Sequence, residues 1–167
     1  VSITATAQPA AMALIEVLAP CQAGQRIEIR HAGLSFAERI GSDGRLRVSV
    51  PGFTQEASFA AVFPDGSEHV AQTRLPDLSA LQRVAVQWQG PSELMLHALE
   101  FGAEEGSSGH VWPGAARSPE AALRQGGGFL TLLGAADPSS PARAQVYTLP
   151  HAANLPDGVV SLVLEAH

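Results

Sequence analysis

The chain has 167 residues, a formal net charge of −6 and ten basic residues, all of them arginine. An acidic chain without a basic cluster excludes the usual route to nucleic acid and to anionic lipid, which depends on neutralising phosphates. Without lysine, Schiff-base chemistry and a Walker-type phosphate loop are excluded as well.

The first 74 residues consist of short segments in which apolar and polar positions alternate, the period expected of half-buried antiparallel strands. Turn residues separate these segments at about the 8–12-residue spacing typical of sandwiches and barrels. The predicted strands are residues 3–7, 12–18, 26–31, 34–40, 46–50, 57–63 and 67–73.

Two Asp-Gly turns stand out in this half. Asp43-Gly44 precedes a strand in which Leu46, Val48 and Val50 share one face, and Asp-Gly favours the positive φ angles of a tight hairpin. We therefore expect a hairpin that joins the strand at 34–40 to the one at 46–50. Pro64-Asp65-Gly66 predicts a second turn.

The alternation of apolar and polar positions stops at residues 75–80, where Leu-Pro-Asp-Leu-Ser-Ala suggests a boundary between two β units. We expect one domain over residues 1–76 and another over 77–167, with a single larger sandwich as the alternative. Residues 93–100 are apolar on both faces, which predicts a central, well-covered strand. The other strands predicted in this half are residues 83–88, 129–133, 144–149 and 159–165.

A glycine-punctuated loop from Gly102 to Gly128 interrupts the second half. Within it, residues 118–125 carry helix signals at both ends: Ser118 as N-cap, Pro119 in the first turn and a glycine after the last residue. Since binding residues often lie on loops held by a rigid scaffold, we expect this loop to contact a partner.

His97, His110 and a nearby acid, Glu100, are the candidate metal ligands. Histidine and carboxylate side chains from neighbouring strands commonly build such sites, although the chain has none of the specific ligand spacings. The alternative is a hydrogen-bonded histidine in the core at position 97 and a histidine packed in the loop, beside Trp112, at position 110. No cofactor is expected.

Aromatic residues supply a second candidate site. Trp88, Trp112 and Tyr147 could form a platform for a glycan or peptide, and Trp112, His110 and Tyr147 are the candidate residues for binding a partner or ligand. Core packing is the alternative interpretation. The single cysteine, Cys21, has no internal partner; it is either a small buried apolar residue or a bridge to a cysteine outside this chain.

Residues 25–66 resemble the carboxypeptidase-regulatory or transthyretin-like sandwich modules, through Ile40-Gly41-Ser42-Asp43-Gly44 and the strand that ends in Pro51-Gly52. Residues 83–150 are similar to a family of uncharacterised bacterial envelope proteins, through Trp88 and the strand Glu93-Leu94-Met95-Leu96-His97. The resemblance implies a mostly β fold of immunoglobulin-like or transthyretin-like antiparallel sandwich type, and exported modules without catalytic activity.

We therefore expect a non-catalytic, exported interaction module or accessory subunit of the bacterial envelope, periplasmic or extracellular. Its expected partner is a protein of the cell envelope. The chain begins in a strand-like segment at Val1-Ser2-Ile3-Thr4, as an exported protein does after its signal peptide is removed. No apolar run approaches the roughly 20 residues of a membrane helix, so no membrane insertion is expected. The alternatives are a metal-binding protein and a small-ligand or glycan-binding module.

Overall fold

A computed structural model describes residues 1–152 and 155–167, and in them the chain is mostly β, with four antiparallel sheets and one short α-helix. The predicted fold class, a mostly β antiparallel sandwich with one short helix in a long loop, is confirmed. The strands are β1 (Ser2–Gln8), β2 (Met12–Leu18), β3 (Arg26–His31), β4 (Leu34–Arg39), β5 (Arg45–Pro51), β6 (Glu56–Val62), β7 (Glu68–Arg74), β8 (Leu81–Gln89), β9 (Leu94–Glu100), β10 (His110–Val111), β11 (Phe129–Leu133), β12 (Ala142–Pro150) and β13 (Val160–Ala166). Short 3-10 helices cover Pro20–Gln22 and Pro76–Ala80, and the α-helix α1 covers Pro119–Gln125.

The first seven strands form two sheets, in the orders β1-β2-β5 and β4-β3-β6-β7. The prediction of a hairpin at Asp43-Gly44 is wrong, because β4 pairs with β3 while β5 pairs with β2. Gly44 has a φ of +78° as expected, but its carbonyl accepts from the Ala19 amide and extends the β2–β5 ladder. The turn therefore passes the chain from one sheet to the other. The turn at Pro64-Asp65-Gly66 does close a hairpin, between β6 and β7.

The remaining strands form two further sheets, in the orders β11-β12-β8 and β10-β9-β13. The middle strand β12 is buried on both faces over Ala144–Thr148. Ala144 and Val146 join the larger buried cluster, whereas Tyr147 joins the smaller cluster together with residues of β9. The sheet β11-β12-β8 is therefore packed on both sides.

The larger buried cluster does not follow the boundary expected at residue 76. It joins Ile15, Phe36 and Phe59 from the first half to Phe129 and Val146 from the second. The structure thus gives both halves a shared core, while the division into domains 1–76 and 77–167 stays a prediction.

Arg83 ties the halves together. Its guanidinium donates to the carbonyls of Ala10, Ala11 (2.8 Å) and Gly52 (2.7 Å) and to the hydroxyl of Thr148 (2.9 Å). Burial lowers the pKa of Arg83 to about 10. The contacts of this side chain reach one strand of the second half and two turns of the first.

The helix predicted at residues 118–125 is present as α1, and its N-cap is the predicted one. The Ser118 hydroxyl accepts from the Ala121 amide at 3.1 Å, with Glu120 in the first turn and Arg124 in the last. Gly126 ends the helix with a φ of +84°. Within residues 1–152 and 155–167, no helix has the length and apolar character needed to cross a membrane.

Candidate functional site

The candidate residues are arranged around β9, whose side chains alternate between two faces. Leu96, Ala98 and Glu100 are buried on the inner face, against β12 and β11. Met95, His97 and Leu99 lie on the outer face and are partly exposed. This alternation separates His97 from Glu100, because residues three apart in a strand point to opposite sides.

On the outer face, three titratable side chains form a continuous hydrogen-bonded chain. Nδ1 of His97 lies 2.8 Å from Nε2 of His110 on β10, and Nε2 of His97 lies 2.8 Å from Oε1 of Glu165 on β13. Oε2 of the same carboxylate lies 2.9 Å from Nε2 of His167. We call His97, His110 and Glu165 the outer triad.

One backbone contact fixes the proton positions in the outer triad. The Gly106 amide donates to Nδ1 of His110 at 3.0 Å, so the proton of the neutral His110 ring is on Nε2. That proton is donated to Nδ1 of His97, which leaves the proton of His97 on Nε2, directed at Glu165. The hydrogen bond from His97 holds the pKa of the Glu165 carboxyl below its usual range, and the nearby His167 acts in the same direction.

Trp112 covers the two histidines of the outer triad. Its ring is stacked on His97 and on His110, with centroid distances of 5.3 Å and 5.5 Å and interplanar angles of 8° and 13°. The two imidazoles are stacked on each other at 5.0 Å. His110 is only 7% exposed, so this stack shields the histidine pair from solvent.

On the inner face, Glu100 is the centre of a second polar cluster. Its carboxylate accepts from Arg117 at 2.7 Å, from the Gly128 amide at 2.6 Å and from the hydroxyl of Tyr147. Arg117 also donates to the carbonyls of Gly128 and Ser108. We call Glu100, Arg117 and Tyr147 the inner triad; through it the Gly102–Gly128 loop is fixed to the core.

Burial keeps the Tyr147 phenol of the inner triad protonated. Desolvation, together with the hydrogen bond to Glu100, raises the pKa of the Tyr147 phenol well above its usual range. Tyr147 therefore remains a hydrogen-bond donor at neutral pH. The Glu100 carboxylate has Arg117 as its counter-ion, the arrangement that a buried charge requires.

Glycines at residues 127 and 128 let the loop approach this cluster closely. A Cβ at Gly127 would lie 2.5 Å from Nη1 of Arg117 and 2.7 Å from Oε1 of Glu100. A Cβ at Gly128 would lie 2.4 Å from the Tyr147 hydroxyl. Gly127 and Gly128 are thus packed closely against the inner triad, whereas an added Cβ at Gly126 would meet nothing within 4 Å.

The structure brings two of the three predicted metal ligands together. His97 and His110 are hydrogen-bonded to each other, whereas Glu100 belongs to the inner triad on the other face of β9. In the part of the chain that the structure describes, no group of three or more histidine, cysteine, aspartate or glutamate side chains is arranged to hold a metal ion. The predicted ligand set is therefore not assembled.

The structure also separates the three predicted aromatic residues. Trp112 is stacked on the outer triad, Tyr147 is buried in the inner triad, and the indole of Trp88 donates to the Ser92 carbonyl at 2.9 Å. Of the residues predicted to bind a partner, Trp112 and His110 share the outer face, and Tyr147 does not. Cys21 is exposed.

Sequence reasoning missed an apolar groove between the edge strands β8 and β13. Its cavity of about 320 Å³ is lined by Gln82, Val84, Phe101, Tyr147, Leu149, Gly158, Val159, Val160 and Leu162. Several of these side chains are partly open to solvent, including Val84 (42% exposed) and Leu162 (40%). The signal was present in residues 159–164, an uninterrupted run without charge, but that run also fits a buried strand.

Comparison with known proteins gives no family assignment, since neither a protein-family model nor a curated protein matches the chain.

Proposed function

We propose that this chain is a non-catalytic protein-interaction module that binds an extended apolar segment of a partner along β13. The observation that carries the proposal is the exposure of this strand: Leu162, Val163 and Leu164 are 40–50% exposed, on both of its faces. Three consecutive half-exposed aliphatic residues leave apolar surface that a partner would remove from water.

The backbone of β13 supports the same proposal. Within the described residues, β13 pairs only with β9 and β8 pairs only with β12. Each strand therefore has one edge without a partner strand in the described residues, and the apolar groove lies beside both. An added strand would complete the hydrogen bonds of an edge while its alternate side chains fill the groove.

The composition of β13 distinguishes it from a protected edge. Natural sheets guard their edges with charged side chains, proline or bulges. The edge strand β7 has Glu68 and Arg74 at its ends, and the edge strand β4 ends in Arg39. The strand β13 also has a charged residue near its end, Glu165, but four of the five residues from 160 to 164 are aliphatic and none is charged, which favours pairing with another chain.

The proposed partner is a protein of the bacterial cell envelope. Support for this location comes from the resemblance of residues 25–66 and 83–150 to modules of exported proteins. The position of the binding surface differs from our expectation for the Gly102–Gly128 loop, in which two polar side chains, His110 and Arg117, are engaged in the outer and inner triads.

The test compares two variants at equally exposed positions on different edge strands. Leu164→Lys places a charge on β13, and Val70→Lys places one on β7, where the native side chain is also 50% exposed. Each protein, immobilised, is used to capture envelope proteins from the native organism. The captured partner's segment is then bound as a synthetic peptide while amide exchange of β13 is measured.

The proposal requires a partner retained by wild type and by Val70→Lys, lost at least tenfold with Leu164→Lys, and protecting the β13 amides. Equal capture by all three proteins would overturn it. So would concentration-dependent self-association that disappears only in Leu164→Lys, since a second copy would then be the occupant.

A further inference from the structure

The pairing of β13 with β9 shows which backbone groups of β13 are already bonded. At the end of the strand, the amides and carbonyls of Glu93 and His167 bond each other, at 3.3 Å and 2.8 Å. At its start, the Phe101 amide donates to the Val159 carbonyl at 3.0 Å. Hydrogen-bonded pairs alternate with non-bonded pairs along an antiparallel ladder. Every second residue from Val159 to His167 therefore directs its backbone groups at β9.

The residues between them direct their backbone groups at the edge that has no partner strand in the described residues. These residues are Val160, Leu162 and Leu164. Leu162 lies opposite the buried Ala98, so the side chains of all three lie on the inner face of β13. In an antiparallel pair, the side chains of two bonded residues lie on the same face of the sheet. Every second side chain of a strand added at this edge therefore points into the apolar groove.

The lining of the groove defines what those side chains must be. Of the residues around its cavity of about 320 Å³, none is charged, and Gln82 and Tyr147 are the two with polar side chains. The hydroxyl of Tyr147 is already bonded to Glu100. A volume at the lower limit of ligand pockets suits one or two side chains of the added strand, and the lining requires them to be apolar.

The charges near β13 are acidic, and they lie at its two ends. Asp157 is exposed in the turn that leads into the strand, and the side chain of Glu165, near the other end, is 41% exposed. Two histidines, His97 and His167, bond the Glu165 carboxylate. The one charged residue of β8, Arg83, directs its guanidinium at backbone carbonyls of the first half. An extended segment on β13 would thus meet an acid at each end.

We propose that the segment bound along β13 is an apolar strand with arginine or lysine at each end, placed by Asp157 and Glu165. The inference rests on the proposed function and names the chemistry of its partner. The backbone of Val160, Leu162 and Leu164 bonds the segment, and the groove takes its alternate side chains. Complementary charges at both ends fix its register and speed its association. In an extended chain, the basic residues are about six to eight positions apart.

The test uses synthetic peptides in which leucine alternates with threonine between two flanking pairs of charged residues. The peptide flanked by arginine should bind about tenfold more tightly than the one flanked by glutamate at about 0.05 M salt, and the ratio should approach one at about 0.5 M. Amide exchange measured by NMR locates the peptide. Leu162 and Leu164 should gain protection, whereas Ser161 and Val163, already bonded to β9, should change little.

Two double variants, matched in net charge, test the role of the acids. Asp157→Asn with Glu165→Gln should reduce the preference for the arginine peptide to about twofold or less. Glu56→Gln with Glu68→Gln, which removes two exposed acids from β6 and β7, should retain it. A peptide with serine in place of leucine should not protect the β13 amides, since it has no apolar side chains for the groove.

The outcomes separate this inference from the proposed function. If no peptide protects Leu162 and Leu164, both are overturned. If the arginine and glutamate peptides protect them with affinities within twofold of each other, the proposed function stands and the basic flanks are overturned. A preference that survives in Asp157→Asn with Glu165→Gln, or equal binding of the serine peptide, would also overturn the inference.

Discussion

The inner and outer triads lie on opposite faces of β9, and they differ in burial and in whether a cation neutralises the carboxylate. Glu100 is 6% exposed and bonded to a cation, a phenol and a backbone amide. The outer triad has no permanent cation, and the side chain of Glu165 is 41% exposed. The comparison shows how strand alternation places two polar clusters, centred on His97 and Glu100, on opposite faces of one strand although the two residues are only three positions apart.

The largest effect is expected from Glu100→Gln. The change keeps the shape of the side chain but leaves Arg117 without its counter-ion and puts an amide group opposite the donors of the cluster. We expect a loss of about 3 kcal/mol in the free energy of unfolding, measured by urea denaturation. Glu104→Gln, on the exposed part of the loop, is the control and should stay within about 0.5 kcal/mol. Equal losses in the two variants would contradict a stabilising role for the Glu100–Arg117 pair of the inner triad.

Gly127→Ala tests the close approach of the loop to that triad. Gly127 and Gly102 have φ angles of +78° and +81°, so alanine is strained similarly at both. Only Gly127 has atoms within 3 Å of the added Cβ, whereas Gly102 has nothing within 4 Å. Gly127→Ala should therefore be less stable than Gly102→Ala by about 1–3 kcal/mol in the same assay. Equal stability would show that the glycine is needed for its φ alone.

Tyr147→Phe removes one donor from Glu100 and should cost about 1 kcal/mol at pH 7. The folded chain raises the pKa of Tyr147 above that of the unfolded chain, so stability held by the neutral phenol is complete below about pH 10 and falls above it. Between pH 8 and pH 11, the free energy of unfolding should therefore fall by less in Tyr147→Phe than in wild type. Because Arg83, with a pKa of about 10, titrates in the same range, the difference from wild type is the quantity to compare. An identical alkaline loss in both proteins would contradict the assignment.

Much of this fold could be predicted from local signals. Alternation and short apolar runs located the strands apart from the two-residue β10, and the capping residues from Ser118 to Gly126 located α1. Strand pairing could not be predicted in the same way: Asp43-Gly44 adopts the expected turn conformation, but its neighbours pair with β2 and β3. Turn propensity is local, whereas the choice of sheet depends on which distant strand completes the ladder.

The candidate site was also only partly predictable, because its residues come both from nearby and from distant parts of the sequence. His97 and His110 could be chosen from the sequence because they lie only 13 residues apart, one on a predicted strand and the other in the loop that follows it, and the structure does join them. Glu165 could not be chosen, since it comes from β13, 68 residues after His97. Glu100 was nearer in sequence, but its position three residues along the strand puts it on the wrong face for a shared site.

The smallest effect is expected from His97→Gln, and it sharpens the comparison with the inner triad. The variant interrupts the outer triad in its middle, but a neutral histidine bonded to a half-exposed carboxylate contributes little to stability, about 1 kcal/mol or less. Urea denaturation at pH 7 should therefore give less than half the loss seen in Glu100→Gln. Glu165→Gln, which leaves His97 in place, is the matched control and should cost no more. A loss of about 3 kcal/mol in His97→Gln would mean that the outer triad supports the fold as the inner one does, and that the two faces of β9 share one structural role.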